Sequence, residues 1–374
     1  MKKIALNYIY LSKNHAGGKD QVGLNLLRGF YENNLITNMV VICFDYSSNI
    51  ISEIAPGIDI IELKGKDIKS ELGRMLMLCY INTVKLPKII KDNNISMIYH
   101  LSCNNGLKKF KIKSIVIPHD IKAVAHRVIG KVKVPFYKYI LYYIMYSLDF
   151  RHADYIIAIS KTDKSEMEKY YSQYSDKIRC IYNPINIGRS NNIIDKTDKY
   201  ICALNLQFHH KNIITLIKAY ERIKDKIDHD LILIGSVPKR VNYLKEYVET
   251  HNLSNRIKFT GFIDDKKMQE IFIGSSLYIN PTLYEGFGMT AIEAMILKIP
   301  TLVSKIPTNY EVTKGLCNYY YPPEDEKMLA EEIIKCLNRE YVNKNMDKIS
   351  EDIYNEYNYI KISNDYYNFF LSIV

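Results

Sequence analysis

The chain has 374 residues, of which 47% are hydrophobic and 25% charged, and its formal net charge is +10. This length and composition exclude a disordered chain and fit two globular domains better than one. The lysines are spread along the whole chain without a basic block, so the charge fits an anionic small molecule or membrane surface at least as well as nucleic acid.

The cysteines and the first residues indicate the cellular compartment. The seven cysteines include no C-x-x-C pair, a pattern typical of reduced thiols in a cytosolic protein without a zinc site. The start, MKKIALNYIY, has an apolar run that Asn7 interrupts, which predicts a first β-strand rather than a signal peptide. No uncharged stretch reaches the ~18 residues of a membrane-spanning helix. We therefore expect a cytoplasmic protein.

Short β-rich runs alternate with longer helical patterns in the first half of the chain, which predicts βαβ units and a parallel sheet. The predicted strands are Ile4–Tyr10, Val40–Phe44, Ile58–Leu63, Met97–Leu101, Ile115–Ile117 and Tyr155–Ile159. The predicted helices are Asp20–Asn33, Ser70–Asp92 and Lys161–Tyr171.

A turn signal and a polar stretch then separate two halves. Residues 181–187 read IYNPINI, where Asn-Pro marks a turn, and residues 188–199 read GRSNNIIDKTDK, which predicts a domain boundary. The alternation restarts after it. The predicted strands are Tyr200–Leu204, Leu231–Gly235, Ile257–Thr260, Leu277–Asn280 and Thr301–Val303. The predicted helices are Asn212–Lys226, Asn242–Thr250, Lys266–Ile273, Thr290–Leu297, Glu326–Asn338 and an aromatic-rich tail, Asp352–Val374.

These patterns predict an α/β protein with two domains, residues 1–187 and 188–352, and a C-terminal helix, residues 353–374, that crosses back to the first domain. Parallel sheets bind ligands outside the carboxyl ends of their strands. A site in a crevice between the two domains is therefore expected.

The most informative segment is residues 277–304, LYINPTLYEGFGMTAIEAMILKIPTLVS. A predicted strand is followed by a loop with Gly286 and Gly288, and a helix begins near Met289. Free backbone N–H groups and the positive end of a helix then lie beside glycines that allow close approach, which suits a phosphate.

Glu285 and Glu293 flank this turn. Carboxylates accept hydrogen bonds from the vicinal hydroxyls of a ribose or a hexose, so the segment meets the requirements of a nucleotide-sugar site. A solvated loop with a surface helix is the plainer alternative, because glutamates are common. Residues 286–291 also match the dinucleotide fingerprint G-x-G-x-x-A. A dehydrogenase is not favoured, because the next strand ends in Ser304 and Lys305 rather than an acid.

Residues 281–288, PTLYEGFG, followed by IEAM at 292–295, resemble the signature of the family-4 retaining glycosyltransferases of the GT-B fold. The resemblance spans nearly the whole chain. It implies two Rossmann-like domains whose parallel sheets face each other across a cleft. It also implies transfer of a hexose from a nucleotide-diphosphate sugar, with retention and without a metal. The other matching pieces are ADYIIAIS at 153–160, NPIN at 183–186, KN at 211–212, LILIG at 231–235, FTGF at 259–262 and PHD at 118–120.

The resemblance also assigns residue roles. Glu285 lies near the donor sugar, Glu293 binds the ribose, and Lys211 neutralises the diphosphate. Physical chemistry agrees for Lys211, because a preorganised cation stabilises a leaving phosphate. The implied catalytic residues are His119, Lys211 and Glu285; the implied donor-binding residues are Gly17, Gly18, Lys211, Phe262, Glu285, Gly286, Phe287, Gly288, Met289 and Glu293.

Two features are weaker or depart from the family. Gly17 and Gly18 resemble a first-domain glycine loop, although a Gly-Gly pair alone is also a simple turn. The family often has an arginine five or six residues before the lysine, where this chain has Leu206 and Asn205. One cation of the phosphate clamp is therefore missing or supplied elsewhere. The substitutes considered are His209 and His210, with surface histidines as the alternative.

Asp228-His229-Asp230 resembles the D-x-D metal motif of another glycosyltransferase fold. It lies in a polar stretch just before a predicted strand, so a solvated turn is predicted there. We expect no metal and no cofactor other than the nucleotide-sugar substrate.

The expected donor is a UDP or GDP sugar, and the expected acceptor is a saccharide or lipid-linked saccharide in surface polysaccharide biosynthesis. Residues 136–150 form an aromatic run; such a basic, aromatic segment can rest on a membrane surface, and an ordinary buried helix is the alternative. Peripheral contact with the inner face of the membrane is thus an expectation. The basic residues that adjoin the run are Arg127, Lys131, Lys133 and Lys138.

Three other functions stay open. A nucleotide-sugar epimerase or phosphorylase of similar shape would share the donor site without the acceptor. A non-catalytic partner subunit is favoured by the missing arginine and disfavoured by the intact Lys211, Glu285 and Glu293. A nucleic-acid binder fits the charge, but the chain has no helix-turn-helix, zinc or RNA-binding signature.

Overall fold

The computed structural model describes residues 3–15, 17–65, 70–103, 106–130, 132–188, 199–338 and 345–374. The chain forms two compact units. The first consists of Met1–Arg127, Val134–Asn186 and Tyr357–Val374, and the second of Val128–Lys133 and Ile187–Glu356. Lys131 and most of the polar stretch 188–199 lie outside the described residues.

The first unit is built on a parallel sheet. The strands up to residue 186 are β1 (Lys3–Asn7), β2 (Met39–Phe44), β3 (Asp59–Leu63), β4 (Ile95–His100), β5 (Lys113–Val116), β6 (Val128–Ile129), β7 (Val132–Lys133), β8 (Tyr155–Ala158) and β9 (Ile178–Cys180). Strands β6 and β7 form a separate hairpin that belongs to the second unit. The others form one sheet in the order β3-β2-β1-β4-β5-β8-β9. Every residue of β2 is buried, as expected for a parallel sheet covered on both faces.

Helices connect these strands: α1 (Gly18–Glu32), α2 (Asp45–Ile54), α3 (Glu71–Tyr80), α4 (Leu86–Asp92), α5 (Lys122–Ala125), α6 (Phe136–His152) and α7 (Lys161–Tyr170). The prediction of one helix over Ser70–Asp92 is wrong in its middle, because a π-helical turn, Ile81–Lys85, separates α3 from α4. Pro87 lies in the first turn of α4, and it has no N–H to continue the α-helical ladder.

The aromatic helix α6 has two different faces. Phe150 on its inner side is fully buried, whereas Tyr137 is 67% exposed and Ile144 49% exposed on its outer side. The interpretation as an ordinary buried helix is therefore wrong for the outer face. The exposed apolar residues of α6 are Phe136, Tyr137, Ile140, Leu141, Ile144 and Leu148.

The second unit repeats the architecture. Its main strands are β10 (Tyr200–Leu204), β11 (Asp230–Ile234), β12 (Ile257–Phe259), β13 (Leu277–Asn280), β14 (Thr301–Ser304) and β15 (Asn318–Tyr320). They form a parallel sheet in the order β12-β11-β10-β13-β14-β15, which places β10 and β13 side by side at its centre. Its helices are α8 (Ile213–Ile223), α9 (Tyr243–Thr250), α10 (Asp265–Gly274), α11 (Met289–Ile296), α12 (Pro307–Val312), α13 (Glu326–Leu337) and α14 (Met346–Tyr357).

The predicted tail helix is two helices. The Asn358 side chain accepts a hydrogen bond from the backbone N–H of Lys361 at 2.9 Å and starts α15 (Tyr359–Ile373). Helix α15 belongs to the first unit and packs on α1, where Phe370 lies 6.0 Å from Phe30 between ring centres. At Gly29 the two helices are so close that a Cβ would contact Ser363 Oγ and lie 2.5 Å from the carbonyl oxygen of Tyr359.

Gly29→Ala should therefore destabilise the first unit. Alanine normally stabilises a helix relative to glycine by roughly 0.5–1 kcal/mol, but overpacking against backbone costs about 1–3 kcal/mol. We expect a lower urea midpoint by circular dichroism. The matched control is Gln21→Ala at an exposed position of α1. A Gly29→Ala protein as stable as the wild type would contradict this account of the α1–α15 contact.

Candidate functional site

The candidate site of the second unit lies at the carboxyl edge of its sheet. Because β10 and β13 are parallel neighbours, residues 205–212 and 281–288 leave the sheet side by side. The carbonyl oxygen of His210 joins them, accepting the Leu283 N–H at 2.7 Å and the Thr282 hydroxyl at 3.0 Å. These bonds fix the first segment against the second.

Asn212 strengthens this connection. Its side-chain amide donates to the carbonyl oxygens of Pro281 at 3.0 Å and Pro323 at 2.8 Å, and its Oδ1 accepts from the Thr215 hydroxyl at 2.7 Å. Its φ of 56° is in the left-handed region, which asparagine tolerates better than most residues. The residue before it, Lys211, is thereby held beside the loop after β13.

Lys211 and Glu285 form an ion pair, with Nζ 2.5 Å from Oε1. Their side chains are only 15% and 13% exposed, so water screens the pair weakly. Two predicted site residues that are 74 positions apart are thus in direct contact. The pair has no net charge, and an anion that binds Lys211 has to share it with Glu285.

The start of α11 is shaped to receive an anion. Gly288 precedes it with φ 82° and ψ 47°, a left-handed conformation that suits glycine, and no side chain caps this helix end. Uncapped N–H groups at a helix start bind negative groups well. Gly286, Phe287, Gly288 and Met289 all lie at this turn, directly after Glu285.

Glu293, one turn into α11, is half-buried. Removal of its carboxyl group from water raises its pKa from 4.5 to about 7. At neutral pH it is therefore divided between the protonated and ionised forms. A ligand hydroxyl that donates a hydrogen bond to this carboxylate would favour the ionised form.

Sequence reasoning missed the residues that support this loop. Asn309 is fully buried, and its Nδ2 donates to the carbonyl oxygen of Ser304 at 2.9 Å. The Ser304 hydroxyl in turn donates to the carbonyl oxygen of Thr282 at 2.5 Å. Asn309 Oδ1 has no partner among the described residues and would lie 3.4 Å from a Cβ at Gly288. Polar residues that follow consecutive strands were the available signal.

Phe262 and the histidines lie elsewhere on this edge. Phe262 is 87% exposed and follows β12, which is two strands away from β10. The His209 ring stacks on Tyr243 at 5.4 Å and its Nδ1 is 3.1 Å from the tyrosine hydroxyl. Leu206, at one position of the missing arginine, is fully buried in the core.

Asp230, in the D-x-D sequence, begins β11 and pairs with Arg256 and Lys258, each at 2.8 Å. Within the part of the chain that the structure describes, no cluster of three or more histidine, cysteine or acidic side chains is placed to hold a metal ion. No helix in these ranges has the length and apolar character required to span a bilayer.

The remaining predicted residues belong to the first unit. Gly17 has φ 111° at the start of α1, and a Cβ on Gly17 or Gly18 would meet no atom within 4 Å. His119, after β5, has φ 65° and its Nε2 lies 2.9 Å from the Leu101 carbonyl oxygen. Because a carbonyl oxygen only accepts, Nε2 carries the proton and Nδ1 is an acceptor.

Burial lowers the pKa of His119, the hydrogen bond to the Leu101 carbonyl oxygen raises it, and the charge of nearby Lys19 lowers it, which together give a pKa of about 4. The imidazole is therefore neutral at pH 7, near the start of α1. The structure thus collects Lys211, Glu285, the 286–289 turn and Glu293 at one edge of the second unit. It places Gly17, Gly18 and His119 at the corresponding edge of the first.

Two family models match adjacent parts of the chain. The model described as Glycosyl transferases group 1 matches residues 186–355, and the model described as Glycosyltransferase Family 4 matches residues 24–189. The first match contains every candidate residue of the second unit.

Curated relatives show the same similarity at low identity. An uncharacterized glycosyltransferase of Methanocaldococcus jannaschii is 26% identical over 233 residues, which are 57% of this chain and 58% of that protein. The O-antigen chain mannosyltransferase RfbU of Salmonella typhimurium is 29% identical over 180 residues, 47% of this chain and 49% of that one. The alignments therefore span about half the length of these relatives.

Solved structures match over the whole chain. Sucrose-phosphate synthase from Thermosynechococcus elongatus superposes with a TM-score of 0.80 at 17% identity, covering 100% of this chain and 99% of that one. Anabaena HepE, in complex with UDP and glucose, superposes with a TM-score of 0.74 at 15% identity and covers 100% of both chains. At these identities the likeness shows the fold.

Glu293→Gln should change how stability depends on pH. With a pKa of about 7 in the folded chain against 4.5 ordinarily, the folded state holds the proton more tightly. Stability therefore falls as pH rises from about 4.5 to 7 and then levels off. Glutamine removes this loss, so the variant should match the wild type at pH 4.5 and exceed it by about 1–3 kcal/mol at pH 8.

Urea denaturation at both pH values measures this difference. Glu249→Gln, at an exposed position of α9, is the matched control and should leave the pH dependence unchanged. If Glu293→Gln follows the wild-type curve from pH 4.5 to 8, the burial of this carboxyl group does not shift its titration.

Proposed function

Because the chain belongs to the group 1 and family 4 glycosyltransferases and has their GT-B fold, we propose that it transfers a hexose from a nucleotide-diphosphate sugar. The acceptor is a hydroxyl of a saccharide or lipid-linked saccharide. The observation that carries this proposal is the Lys211–Glu285 pair at 2.5 Å beside the uncapped start of α11. It puts a cation, a carboxylate and a helix start without a side-chain cap close together.

Each group has a part in binding the donor. The pyrophosphate takes Lys211 and the N–H groups at the start of α11, which stabilise negative charge without reorganisation. Glu285, released from part of its contact with Lys211, accepts from hydroxyls of the sugar. Glu293 in its ionised form accepts from the ribose, and Phe262 contacts the nucleotide.

In the proposed reaction the anomeric C–O bond to the leaving phosphate breaks, and a C–O bond to the acceptor forms on the same face. The acceptor proton goes to an oxygen of the leaving diphosphate. Lys211 stabilises the charge that develops there. His119 Nδ1 accepts a hydrogen bond from a sugar hydroxyl, since the neutral ring and its Nε2–H···O bond fix this tautomer. Metal is not required for these steps.

The relatives suggest the class of sugar. RfbU of Salmonella is named an O-antigen chain mannosyltransferase, and the Anabaena structure holds UDP and glucose. A mannosyl or glucosyl donor used in surface polysaccharide synthesis is therefore proposed for this chain. Both uridine and guanosine nucleotides have to be tested.

The outer face of α6 suggests how the chain could reach a lipid-linked acceptor in a membrane. Its apolar side chains recur every three or four residues, as on a helix that lies in a membrane interface. Arg127 stacks over Phe136 at 5.1 Å, and Lys138 is exposed on the same helix. Lys133 is grouped with the second unit, and Lys131 lies outside the described residues. We propose peripheral binding to an anionic membrane surface.

The proposed function is tested with a panel of uridine and guanosine diphosphate sugars. A ligand that binds only the folded state stabilises it, by about 2.7 kcal/mol when the ligand concentration is 100 times the dissociation constant. The melting temperature rises as a result. We expect at least one donor to have this effect. Lys211→Met should lower the affinity for that donor by at least about tenfold, because it removes a charged hydrogen bond to the pyrophosphate. Calorimetry measures this loss.

The control for this variant is Lys218→Met, on the adjoining helix α8, where the lysine is 41% exposed. It loses the same charge and should bind the donor as the wild type does. A wild-type chain that no sugar nucleotide stabilises, or equal losses in both variants, would refute the proposed function.

Membrane binding is tested with phosphatidylcholine vesicles with and without phosphatidylglycerol. The wild type should bind the anionic vesicles at low salt, and Ile144→Glu should lower binding by about tenfold or more, because burying this side chain contributes roughly 1.5–3 kcal/mol. Leu76→Glu, at a 60% exposed position of α3, is the matched control. Absence of binding to anionic vesicles would exclude the surface role of α6.

A further inference from the structure

The charges at the carboxyl edge of the second sheet do not balance a bound pyrophosphate. Lys211 is already paired with Glu285 at 2.5 Å, and Glu293 adds a second carboxyl group nearby. A nucleotide-diphosphate sugar brings one negative charge on each phosphate. A single lysine paired with a glutamate leaves that charge largely uncompensated in a weakly solvated site. A second cation is therefore needed at this edge.

Arg240 is held where such a cation would lie. It belongs to the turn Lys239–Val241 after β11, and β11 pairs in parallel with β10, with Ile234 opposite Leu204. The segments after these two strands therefore leave the same edge as neighbours. Arg240 Nε donates to the Gln207 carbonyl oxygen at 2.7 Å, within the segment that ends at Lys211.

The guanidinium is oriented by an aromatic ring. Its central carbon lies 4.4 Å from the centre of the Phe208 ring, and this ring also stacks with His210 at 5.5 Å. A stacked guanidinium keeps its edges free for in-plane hydrogen bonds. Among the described residues, no acceptor binds the two terminal nitrogens of Arg240. They retain donors in the fork geometry that matches phosphate oxygens.

Space for a ligand exists at the same edge of the sheet, where the segments after β11 and β12 begin. Gly235 and Gly261 form an isolated bridge between the segments after β11 and β12, with φ values of 123° and 68°. A Cβ at either position would meet no atom within 4 Å. The backbone at Gly235 and Gly261 therefore has open space beside it, and a ligand can approach it closely. His209, by contrast, is tied to Tyr243 through its ring and Nδ1.

We propose that Arg240 is a donor-binding residue of this chain, the second cation for the pyrophosphate. Its terminal nitrogens bind oxygens of one phosphate, while Lys211 and the start of α11 bind the other. This inference rests on the proposed function. Arg240 replaces, from the neighbouring strand, the positive charge that Asn205 and Leu206 do not supply.

Calorimetry on the full chain tests this with UDP and GDP, and with uridine and guanosine as competitors that lack phosphate. Arg240→Met should lower the affinity for the preferred nucleoside diphosphate by about tenfold, which is the contribution of one charged hydrogen-bonding group. It should leave the affinity for the nucleoside unchanged. Arg240→Lys should recover part of the loss. The matched control is Lys239→Met, which removes the same charge from the adjacent exposed residue and should change affinity less than about twofold.

Three results would overturn the inference while leaving the proposed function intact. In the first, Arg240→Met binds nucleoside diphosphate as tightly as the wild type does. In the second, Lys239→Met loses as much affinity as Arg240→Met, which indicates a long-range effect of charge alone. In the third, Arg240→Met loses as much affinity for the nucleoside as for the nucleoside diphosphate, which indicates that Arg240 only holds residues 205–211 in place. A wild-type chain that binds neither UDP nor GDP would instead refute the proposed function, and the role of Arg240 with it.

Discussion

The site depends on one constraint, the parallel pairing of β10 with β13 at the centre of the second sheet. Parallel neighbours release their following loops at the same edge, so two segments more than seventy residues apart in sequence become adjacent. The His210 carbonyl oxygen and the Asn212 amide then join them by hydrogen bonds. Without this pairing, Lys211 would not be held in contact with Glu285, and the uncapped start of α11 would have no lysine beside it.

Much of this arrangement could be predicted from the sequence. Strands β10 and β13 were predicted to the residue, because each is a short apolar run between polar turns. The strand–loop–helix order of residues 277–297 also followed from local signals. Helix α2 was not predicted, because its three serines and Asn49 favour turns and caps over helix. Its stability comes from burying Ile51 and Ile54, which is a tertiary effect.

The contacts of the residues that support the site could not be predicted for a similar reason. Asn212, Asn309 and Arg240 act through contacts with backbone or rings that are distant in sequence. A sequence shows which side chains carry charge or amide groups, but not which loop each one reaches. The glutamates and glycines were identifiable because their function depends on local geometry at a single turn. The arginine was not, because its partner loop follows a different strand.

Several features of the site are unfavourable in the free protein, and a bound polar ligand would compensate for them. Glu293 holds a carboxyl group whose ionised form is disfavoured by burial. Asn309 Oδ1 is buried without a partner among the described residues, a state that costs stability in any fold. The N–H groups at the start of α11 lack a cap. A ligand with hydroxyls and phosphates supplies donors for the carboxylate and acceptors for the N–H groups. Unfavourable groups of this kind at one edge are better explained by a polar ligand than by stability.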